Sequence, residues 1–391
     1  MQIDKIVEKF STTKLIDEII EQAIKKNASD VHIEPTKNNL RIRLRIDGDL
    51  HVIHEISLKY HSSIISRIKV IGNMDIAERR VAQDGRIDTV IMNNEIDIRL
   101  STMPTVYGEK VVLRLLNKTK FNYKIGELGF NESNLHDYIE LISQPYGMIL
   151  ISGPTGSGKT TTMYTTLKEI NDNKKNIITI EDPVEYKIDG VNQIQVNNKA
   201  GLNFSSGLRS ILRQDPDYIF IGEIRDHETS SLAVRAAITG HLLFSTLHTN
   251  DSVSAIHRLI DMGIEPYLLA TSLIGVVSQR LVKLLCPECK ERYIADGLSK
   301  DMLDIKSEDD IYFYRALGCR HCNNGYLGRT AIFEVLRLDK EKRSLIDNNS
   351  NANMIRKSSL DSGMITLFHA AKSLLIEGMT SFEEVIKLKI I

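Results

Sequence analysis

The sequence of 391 residues predicts an α/β fold for the centre of the chain, preceded by a small α+β domain and followed by a helical region. Three observations support this prediction. In the centre, short and almost continuously apolar segments alternate with segments of helical periodicity, which is typical of parallel strands covered on both faces. Near the N-terminus, apolar and basic residues alternate as in strands. The four cysteines form two C-x-x-C pairs late in the chain.

Composition favours a soluble, cytoplasmic, globular protein. Hydrophobic residues make up 42% of the chain, and 50 Lys and Arg balance 51 Asp and Glu. This balance gives no global basic field for nucleic acid or an anionic membrane. The sequence contains no run of eighteen apolar residues, and its first residues lack the apolar core of a signal peptide.

Residues 1–120 are predicted to form the small α+β domain. Residues 15–24 carry one apolar stripe at helical spacing, and residues 64–76 return to that spacing. Between them, LRIRLRIDGDLHVI predicts a strand hairpin with a basic outer face that turns at Asp47. The segments EIDIRLST and KVVLRLL supply two more strands.

A polar connector, NKTKFNYKIGELGF, leads into the predicted central domain, residues 121–284. Its candidate strands are GMILIS, NIITIE, DYIFIGE and HLLFSTLH. A cysteine module is predicted over residues 285–330, and residues 331–391 are predicted to be helical.

The segment GPTGSGKT follows the first of these apolar strands and fits the phosphate-loop pattern G-x-x-x-x-G-K-[ST]. Its glycines let backbone N–H groups surround phosphate oxygens, and the following helix adds its positive end. Lys159 is predicted to contact the β and γ phosphates of ATP, and the Thr160 hydroxyl to bind Mg²⁺. The predicted nucleotide-binding residues are Gly153, Pro154, Thr155, Gly156, Ser157, Gly158, Lys159, Thr160 and Thr161.

Acidic residues follow the next two strands, at the edge where parallel sheets bind ligands. Glu181, Asp182 and Glu185 lie in ITIEDPVEY, which as an isolated segment is equally compatible with a solvated turn. Glu223 ends DYIFIGE, where a Walker B acid reaches Mg²⁺ or the attacking water. Because Gly222 replaces the usual aspartate, Glu223 either combines both roles or shares them with Glu185.

Two histidines, His241 and His248, bracket the strand LLFSTL. A lone histidine is more often structural than functional. A pair beside a phosphate site is also compatible with sensing of the γ-phosphate, and both interpretations remain open.

The cysteine pairs predict a structural zinc site. Cys286, Cys289, Cys319 and Cys322 would supply the four thiolates that tetrahedral Zn²⁺ prefers. A redox pair is the competing interpretation, and His321 is an alternative ligand.

Four segments together resemble the Walker A, Asp box, Walker B and His box of the type II secretion and type IV pilus ATPases. They are GPTGSGKTTT, ITIEDPVEY, GLRSILRQDPDYIFIGEIRDHET and TGHLLFSTLHTND. The resemblance extends backward through ASDVHIEP, LRIRLRIDGDL and RRVAQDGR and forward through both cysteine pairs, so it covers nearly all of the chain after about residue 12.

The resemblance implies a RecA-like ATPase domain, a PAS-like N-terminal domain and a ring of six subunits. ATP would sit between the two domains, with arginines around the γ-phosphate. The matching arginines are Arg99, Arg114, Arg209 and Arg213, and His248 joins the catalytic set. Arg114 interrupts the apolar run VVLRLL, where an unpaired charge would be costly and a phosphate would be a suitable partner.

The resemblance also implies a position at the inner face of the cytoplasmic membrane, held there by an inner-membrane platform protein. The cysteine module is typical of assembly ATPases and not of retraction ATPases. Two departures are evident: Ala82 stands where proline is expected, and the chain begins almost at the second domain of longer relatives. The second departure puts recruitment through an N-terminal docking domain in doubt.

The leading hypothesis is therefore an ATPase that drives assembly of a type II secretion pseudopilus, a type IV pilus or a competence pseudopilus. The alternative is a zinc-ribbon nucleic-acid-binding NTPase or DNA translocase, which the neutral charge balance disfavours, and no nucleic-acid partner is expected. A scaffold that binds but does not hydrolyse nucleotide is a third possibility. The intact set of Lys159, Thr160, Glu185 and Glu223 argues against it.

Overall fold

The computed structural model describes residues 12–117, 123–306 and 310–389. The chain divides into two compact units, Met1–Asn122 and Tyr123–Ile391. Part of the predicted connector, residues 118–122, lies outside the described residues. Across the described ranges, the search for a helix with the length and apolar character of a membrane span finds none.

The N-terminal unit is an antiparallel sheet of six strands with two helices. The helices are α1 (Thr12–Lys25) and α2 (His61–Ile71), and the strands are β1 (Asp30–Pro35), β2 (Asn39–Ile46), β3 (Asp49–Ser57), β4 (Gln83–Ile91), β5 (Asn94–Thr105) and β6 (Gly108–Asn117). The strand order is β3-β2-β1-β6-β5-β4.

One face of this sheet forms the core of the unit. Along β2, the apolar residues Leu40, Ile42 and Leu44 are fully buried, whereas the arginines between them point to the other face. The apolar stripes of α1 and α2 pack on the buried face. The structure thus confirms the predicted hairpin of β2 and β3 and the predicted strands β5 and β6. Strands β1 and β4 were not predicted from the sequence.

The second unit contains most of the helices. They are α3 (Glu132–Ile142), α4 (Lys159–Ile170), α5 (Phe204–Ile211), α6 (His227–Ile238), α7 (Ser252–Asp261), α8 (Pro266–Ser272), α9 (Gly297–Met302), α10 (Lys340–Asp347), α11 (Ala352–Asp361), α12 (Leu367–Ile376) and α13 (Phe382–Lys389). Short 3₁₀ turns occur at Leu58–Tyr60 in the first unit and at Ile125–Glu127 and Asn198–Ala200 in the second.

A sheet of seven strands organises the second unit. Its strands are β7 (Gly147–Ser152), β8 (Ile177–Glu181), β9 (Val191–Gln195), β10 (Tyr218–Ile221), β11 (Leu242–Leu247), β12 (Leu273–Leu285) and β15 (Tyr326–Arg337). The order is β15-β12-β7-β11-β10-β8-β9, and every neighbouring pair is parallel except β12 with β15.

Helices cover both faces of this sheet. α3 and α4 pack on one face, and α5 to α8 pack on the other. Each of the four predicted central strands is present as β7, β8, β10 and β11. The predicted α/β class with a parallel sheet is therefore confirmed.

The region after residue 330 is not entirely helical, which corrects one expectation. Strand β15 crosses the predicted boundary at residues 330 and 331 and pairs with β12. All of its residues from Ala331 to Leu336 are buried. This buried stretch is apolar apart from Glu334 and has no two-residue period, so the sequence could not distinguish it from a buried helix. Four helices follow it, in the region that was predicted to be helical.

The cysteine segment forms a small module beside the main sheet. It contains β13 (Glu291–Ile294) and β14 (Tyr312–Arg315), which pair antiparallel, and the helix α9. Phe313 is fully buried there and packs in a separate apolar cluster with residues of α12 and α13. The C-terminal helices thus stabilise the module.

Candidate functional site

The phosphate loop lies between β7 and α4, at the carboxyl edge of the parallel sheet. Gly153, Gly156 and Gly158 adopt φ values of +148°, +80° and +90°, which side chains rarely tolerate. A Cβ atom on Gly153 would also lie only 2.5 Å from the carbonyl oxygen of Gln279. Helix α4 begins at Lys159, inside the motif. The backbone geometry therefore matches the one that the motif predicts.

Buried hydroxyl groups line this edge. Ser152, Ser157 and Ser278 are at most 3% exposed, and their hydroxyls have no hydrogen-bond partner among the described residues. Ser157 belongs to the loop itself. Because an unpaired buried hydroxyl is costly, these groups are available to a polar ligand at the loop.

Lys159 is held inside the loop. Its Nζ donates to the carbonyl oxygens of Gly153 at 2.7 Å and Pro154 at 3.0 Å. Burial lowers the pKa of Lys159 to about 8, with Glu223 opposing this change and Arg280 adding to it. Lys159 as a whole residue is 9% exposed to solvent. A bound phosphate would therefore contact a partly desolvated ammonium group.

We expect nucleotide affinity to weaken as the pH rises through about 8, because Lys159 loses its proton there. Below this pH the ammonium group of Lys159 stays protonated, and the affinity should not change with pH. The check is a titration with a fluorescent nucleotide from about pH 7 to about pH 9.5, where each unit above the pKa should weaken binding by up to about tenfold. An affinity that stays constant over this range would contradict the assignment of Lys159.

Glu223 and His248 meet beside the loop. The Glu223 carboxylate is ion-paired with Arg225, and one of its oxygens lies 3.7 Å from His248 Nε2. Burial lowers the pKa of His248, and the nearby charge of Lys159 lowers it further. A neutral imidazole next to a carboxylate fits a residue that senses or orients an attacking group. The prediction that Glu223 and His248 share one site agrees with this geometry.

The Asp-box acids occupy different environments. Glu181 is buried and accepts hydrogen bonds from the Tyr164 and Thr179 hydroxyls. Asp182 is exposed. Glu185 is half-buried, and its backbone N–H donates to the Tyr164 oxygen at 3.0 Å. Through its hydrogen bond with Tyr164, which also accepts from the Glu185 backbone, Glu181 orders this segment.

His241 lies at the opposite edge of the sheet. It precedes β11, and its Nδ1 approaches the carbonyl oxygen of Ala236 at 3.0 Å. Six residues of β11 separate it from the carboxyl edge, which is about 20 Å along a strand. The prediction that His241 binds the nucleotide of its own chain is therefore wrong. A residue that precedes a parallel strand lies at the amino edge, so the predicted strand direction already argued against this placement.

Arg209 and Arg213 lie on the surface of the α5 region. Arg209 forms an ion pair of 2.5 Å with Glu228, and Arg213 donates to the Arg209 carbonyl oxygen at 2.8 Å. Arg213 is next to Gln214, whose carbonyl contacts Asn176 just before β8. Arg213 is thus at the amino edge, away from the loop of the same chain.

Arg99 and Arg114 lie on neighbouring strands of the N-terminal unit, directly opposite each other. Contrary to the expectation from its apolar context, Arg114 is not buried: its side chain is 63% exposed and lies 3.1 Å from Asp30. The run VVLRLL belongs to a strand with one exposed face, so every second residue reaches solvent. Arg99 is 24% exposed and lies 4.0 Å from Asp97.

Two residues of the site were missed from the sequence. Gln279 is 2% exposed, and its side-chain oxygen accepts from Thr162 of α4 at 2.8 Å. Arg280 donates to the Asn250 side-chain oxygen at 3.0 Å. The sequence did contain a signal for these two residues: polar residues interrupt the apolar strand VVSQRLV. A buried amide requires hydrogen-bond partners, so this interruption indicated a polar site.

The four cysteines converge as predicted. Their sulfur atoms all lie within 4.8 Å of one another, and three of the pairs are separated by 3.6, 3.7 and 3.9 Å. Four thiolates around a tetrahedral Zn²⁺ with bonds of about 2.3 Å would be about 3.8 Å apart. Burial raises the pKa of Cys289 to about 12, so a cation is needed for all four groups to ionise together. The donor set therefore fits zinc.

Comparisons with known proteins agree with this site. The family described as Type II/IV secretion system protein matches residues 6–387. Type II secretion system ATPase E of Vibrio cholerae is 46% identical over 382 residues, 96% of this chain and 74% of that protein. Type IV pilus assembly ATPase PilB of Myxococcus xanthus is 43% identical over 392 residues, 98% of this chain and 69% of that protein.

A solved structure extends the comparison to the fold. The pilus retraction motor PilT with bound ADP aligns with a TM-score of 0.62 at 26% identity, covering 95% of this chain and 96% of that one. The resemblance inferred from the sequence motifs is thereby confirmed. The chain belongs to the Type II/IV secretion system protein family.

Proposed function

We propose that this chain is an ATPase that converts ATP hydrolysis into work for the assembly of a secretion pseudopilus or a type IV pilus. The observation that carries the proposal is the convergence of the phosphate loop, Lys159, Glu223 and His248 at one edge of the sheet. The names of the relatives from Vibrio cholerae and Myxococcus xanthus support the same function.

Each group at the loop has a distinct task in this proposal. Lys159 and the loop N–H groups bind the phosphates, and Thr160, which is exposed at the start of α4, binds Mg²⁺. Glu223 accepts the proton of the attacking water or orients it, and Glu185 is the second candidate for this task. His248 contacts Glu223 and reports on the γ-phosphate.

Zinc is proposed as a structural ion. Cys286, Cys289, Cys319 and Cys322 would fill all four positions of a tetrahedral site, which leaves no position for a substrate. The ion would hold the paired strands β13 and β14 against β12 and the C-terminal helices.

The ring of six subunits, the cytoplasmic position at the inner membrane face and the inner-membrane platform partner are parts of the same proposal. Arg99 and Arg114 are proposed as phosphate-binding residues. Arg213 lies at the amino edge of its own sheet, so the nucleotide of a neighbouring subunit is the proposed partner of Arg209 and Arg213. Family membership favours this motor over a zinc-ribbon nucleic-acid-binding NTPase.

The decisive experiment is phosphate release from ATP and Mg²⁺ by the purified chain, with the mass of the particles recorded by light scattering. We expect turnover that requires Mg²⁺ and rises with the fraction of hexamer. Lys159→Ala is the matched variant and should bind no nucleotide. A folded, nucleotide-bound wild type without turnover would contradict the ATPase proposal, and turnover stimulated by single-stranded DNA would favour the translocase.

A further inference from the structure

Tyr164 joins the helix of the phosphate loop to the acidic residues that end β8 and follow it. It lies on α4, the helix that begins at Lys159, and is 2% exposed. Its hydroxyl donates a hydrogen bond to the carboxylate of Glu181, and its oxygen accepts one from the backbone N–H of Glu185 at 3.0 Å. Glu181 and Glu185 are the ends of residues 181–185, which we call the acidic segment. One hydroxyl group therefore contacts both ends of this segment.

Glu181 sets the direction of these two hydrogen bonds. Burial raises the pKa of Tyr164, and the charge of Glu181 raises it further, so the hydroxyl keeps its proton. A carboxylate accepts hydrogen bonds and cannot donate them, so the proton of Tyr164 points to Glu181. The lone pairs of the hydroxyl oxygen then remain for the N–H of Glu185. Glu181 thus fixes Tyr164, and Tyr164 fixes the backbone at Glu185.

Two further donors hold the Glu181 side chain in place. Its other oxygen accepts from the Thr179 hydroxyl at 2.6 Å and from the Gln193 amide at 3.2 Å. The same amide group donates to the Tyr186 carbonyl oxygen at 3.1 Å. Loss of the Tyr164 hydroxyl would therefore not leave the buried carboxylate without a partner, which is the costly case.

The acidic segment also lies near the group that pairs with Glu223. The hydrogen bond with Glu223 raises the pKa of Arg225, and the nearby charge of Asp182 acts in the same direction. Asp182 is the second residue of the acidic segment. The backbone that Tyr164 holds thus belongs to a segment beside the residues proposed to act on the attacking water.

We propose that Tyr164 is a positioning residue for Glu185 in ATP hydrolysis. Glu185 is half-buried and lies in a loop, so the direction of its side chain depends on where the loop backbone is held. The hydrogen bond to Tyr164 ties that backbone to the helix that supports the phosphate loop. One rigid element then places both the carboxylate and the phosphate. The inference rests on the proposed function and assigns Glu185 a share in orienting the attacking water.

The variant Tyr164→Phe removes the hydroxyl and keeps the ring. We expect kcat for ATP to fall about tenfold with KM within about twofold of wild type, because the loop still binds phosphate and only the alignment of Glu185 is lost. Tyr138→Phe is the matched control, since Tyr138 is fully buried and its hydroxyl is hydrogen-bonded to Thr166 of the same helix. It should leave kcat within about twofold of wild type. Equal losses of kcat in the two variants would give Tyr164 a structural role and overturn the inference.

A comparison with Glu185→Ala shows whether Tyr164 acts through Glu185. Single-turnover phosphate release at saturating ATP is measured for Glu185→Ala, for Tyr164→Phe and for the double variant. Adding Tyr164→Phe should slow the Glu185→Ala protein by less than about twofold, because the group that the tyrosine positions is already gone. Multiplied losses in the double variant, or a Glu185→Ala protein as fast as wild type, would overturn the inference.

Hydrogen exchange of the full chain gives a readout that needs no turnover. Without nucleotide, the Glu185 amide should exchange about tenfold faster in Tyr164→Phe than in wild type, as for the loss of one hydrogen bond, and at the wild-type rate in Tyr138→Phe. An unchanged rate in Tyr164→Phe overturns the inference and leaves the ATPase proposal intact. If wild type hydrolyses no ATP, the ATPase proposal fails, and the exchange rate then decides whether Tyr164 positions the Glu185 backbone.

Discussion

The variant Glu223→Gln is expected to bind ATP as wild type does and to hydrolyse it at least about a hundredfold more slowly. Glutamine keeps the size of the side chain but cannot accept a proton from water. The Glu223 carboxylate is only 16% exposed and lies next to His248 and Arg225, so another base cannot easily replace it. The measurement is single-turnover phosphate release at saturating ATP, together with nucleotide affinity.

Glu169→Gln is a suitable control, because Glu169 is exposed on α4 and should change neither quantity. Turnover by Glu223→Gln at the wild-type rate would transfer the role to Glu185. The variant Glu185→Gln should then show the loss instead. A weaker affinity for ATP in Glu223→Gln would indicate that the carboxylate acts mainly through Mg²⁺.

The variant Cys319→Ser/Cys322→Ser is expected to lose zinc and to unfold residues 285–330 locally. Structural zinc contributes about 10–16 kcal/mol of apparent binding free energy in small metal-folded units, and here it would organise a module with few buried residues of its own. The measurements are metal content by mass spectrometry of the purified protein and limited proteolysis across the module.

The matched control is His321→Ala. His321 is exposed and pairs with Glu288, outside the four sulfur atoms, so its loss should leave zinc bound. Freshly purified wild type without zinc would contradict the structural-ion proposal. Zinc loss in His321→Ala would instead make the histidine a ligand. A reversible disulfide in wild type would favour the redox interpretation of the cysteine pairs.

Much of the fold follows from local sequence patterns. The parallel strands β7, β8, β10 and β11 are short apolar runs between helical segments, and β2 shows strict alternation. Strands at the edges of the sheet were harder to predict from the sequence. β9 is half-exposed and weakly apolar, and β15 reads equally well as a buried helix, because burial on both faces removes the two-residue period.

The residues of the candidate site also fall into two groups: those found from local sequence patterns and those placed only by the tertiary structure. By itself, the sequence determined the phosphate loop, the four cysteines and Glu223, because their chemistry requires fixed residue types at fixed local spacing. The tertiary structure decided the rest. It places His241 at the amino edge, buries Glu181, brings Gln279 of β12 to the loop, and sets Arg99 directly opposite Arg114. These relations depend on strand direction and on pairing register between distant segments, which local patterns do not specify.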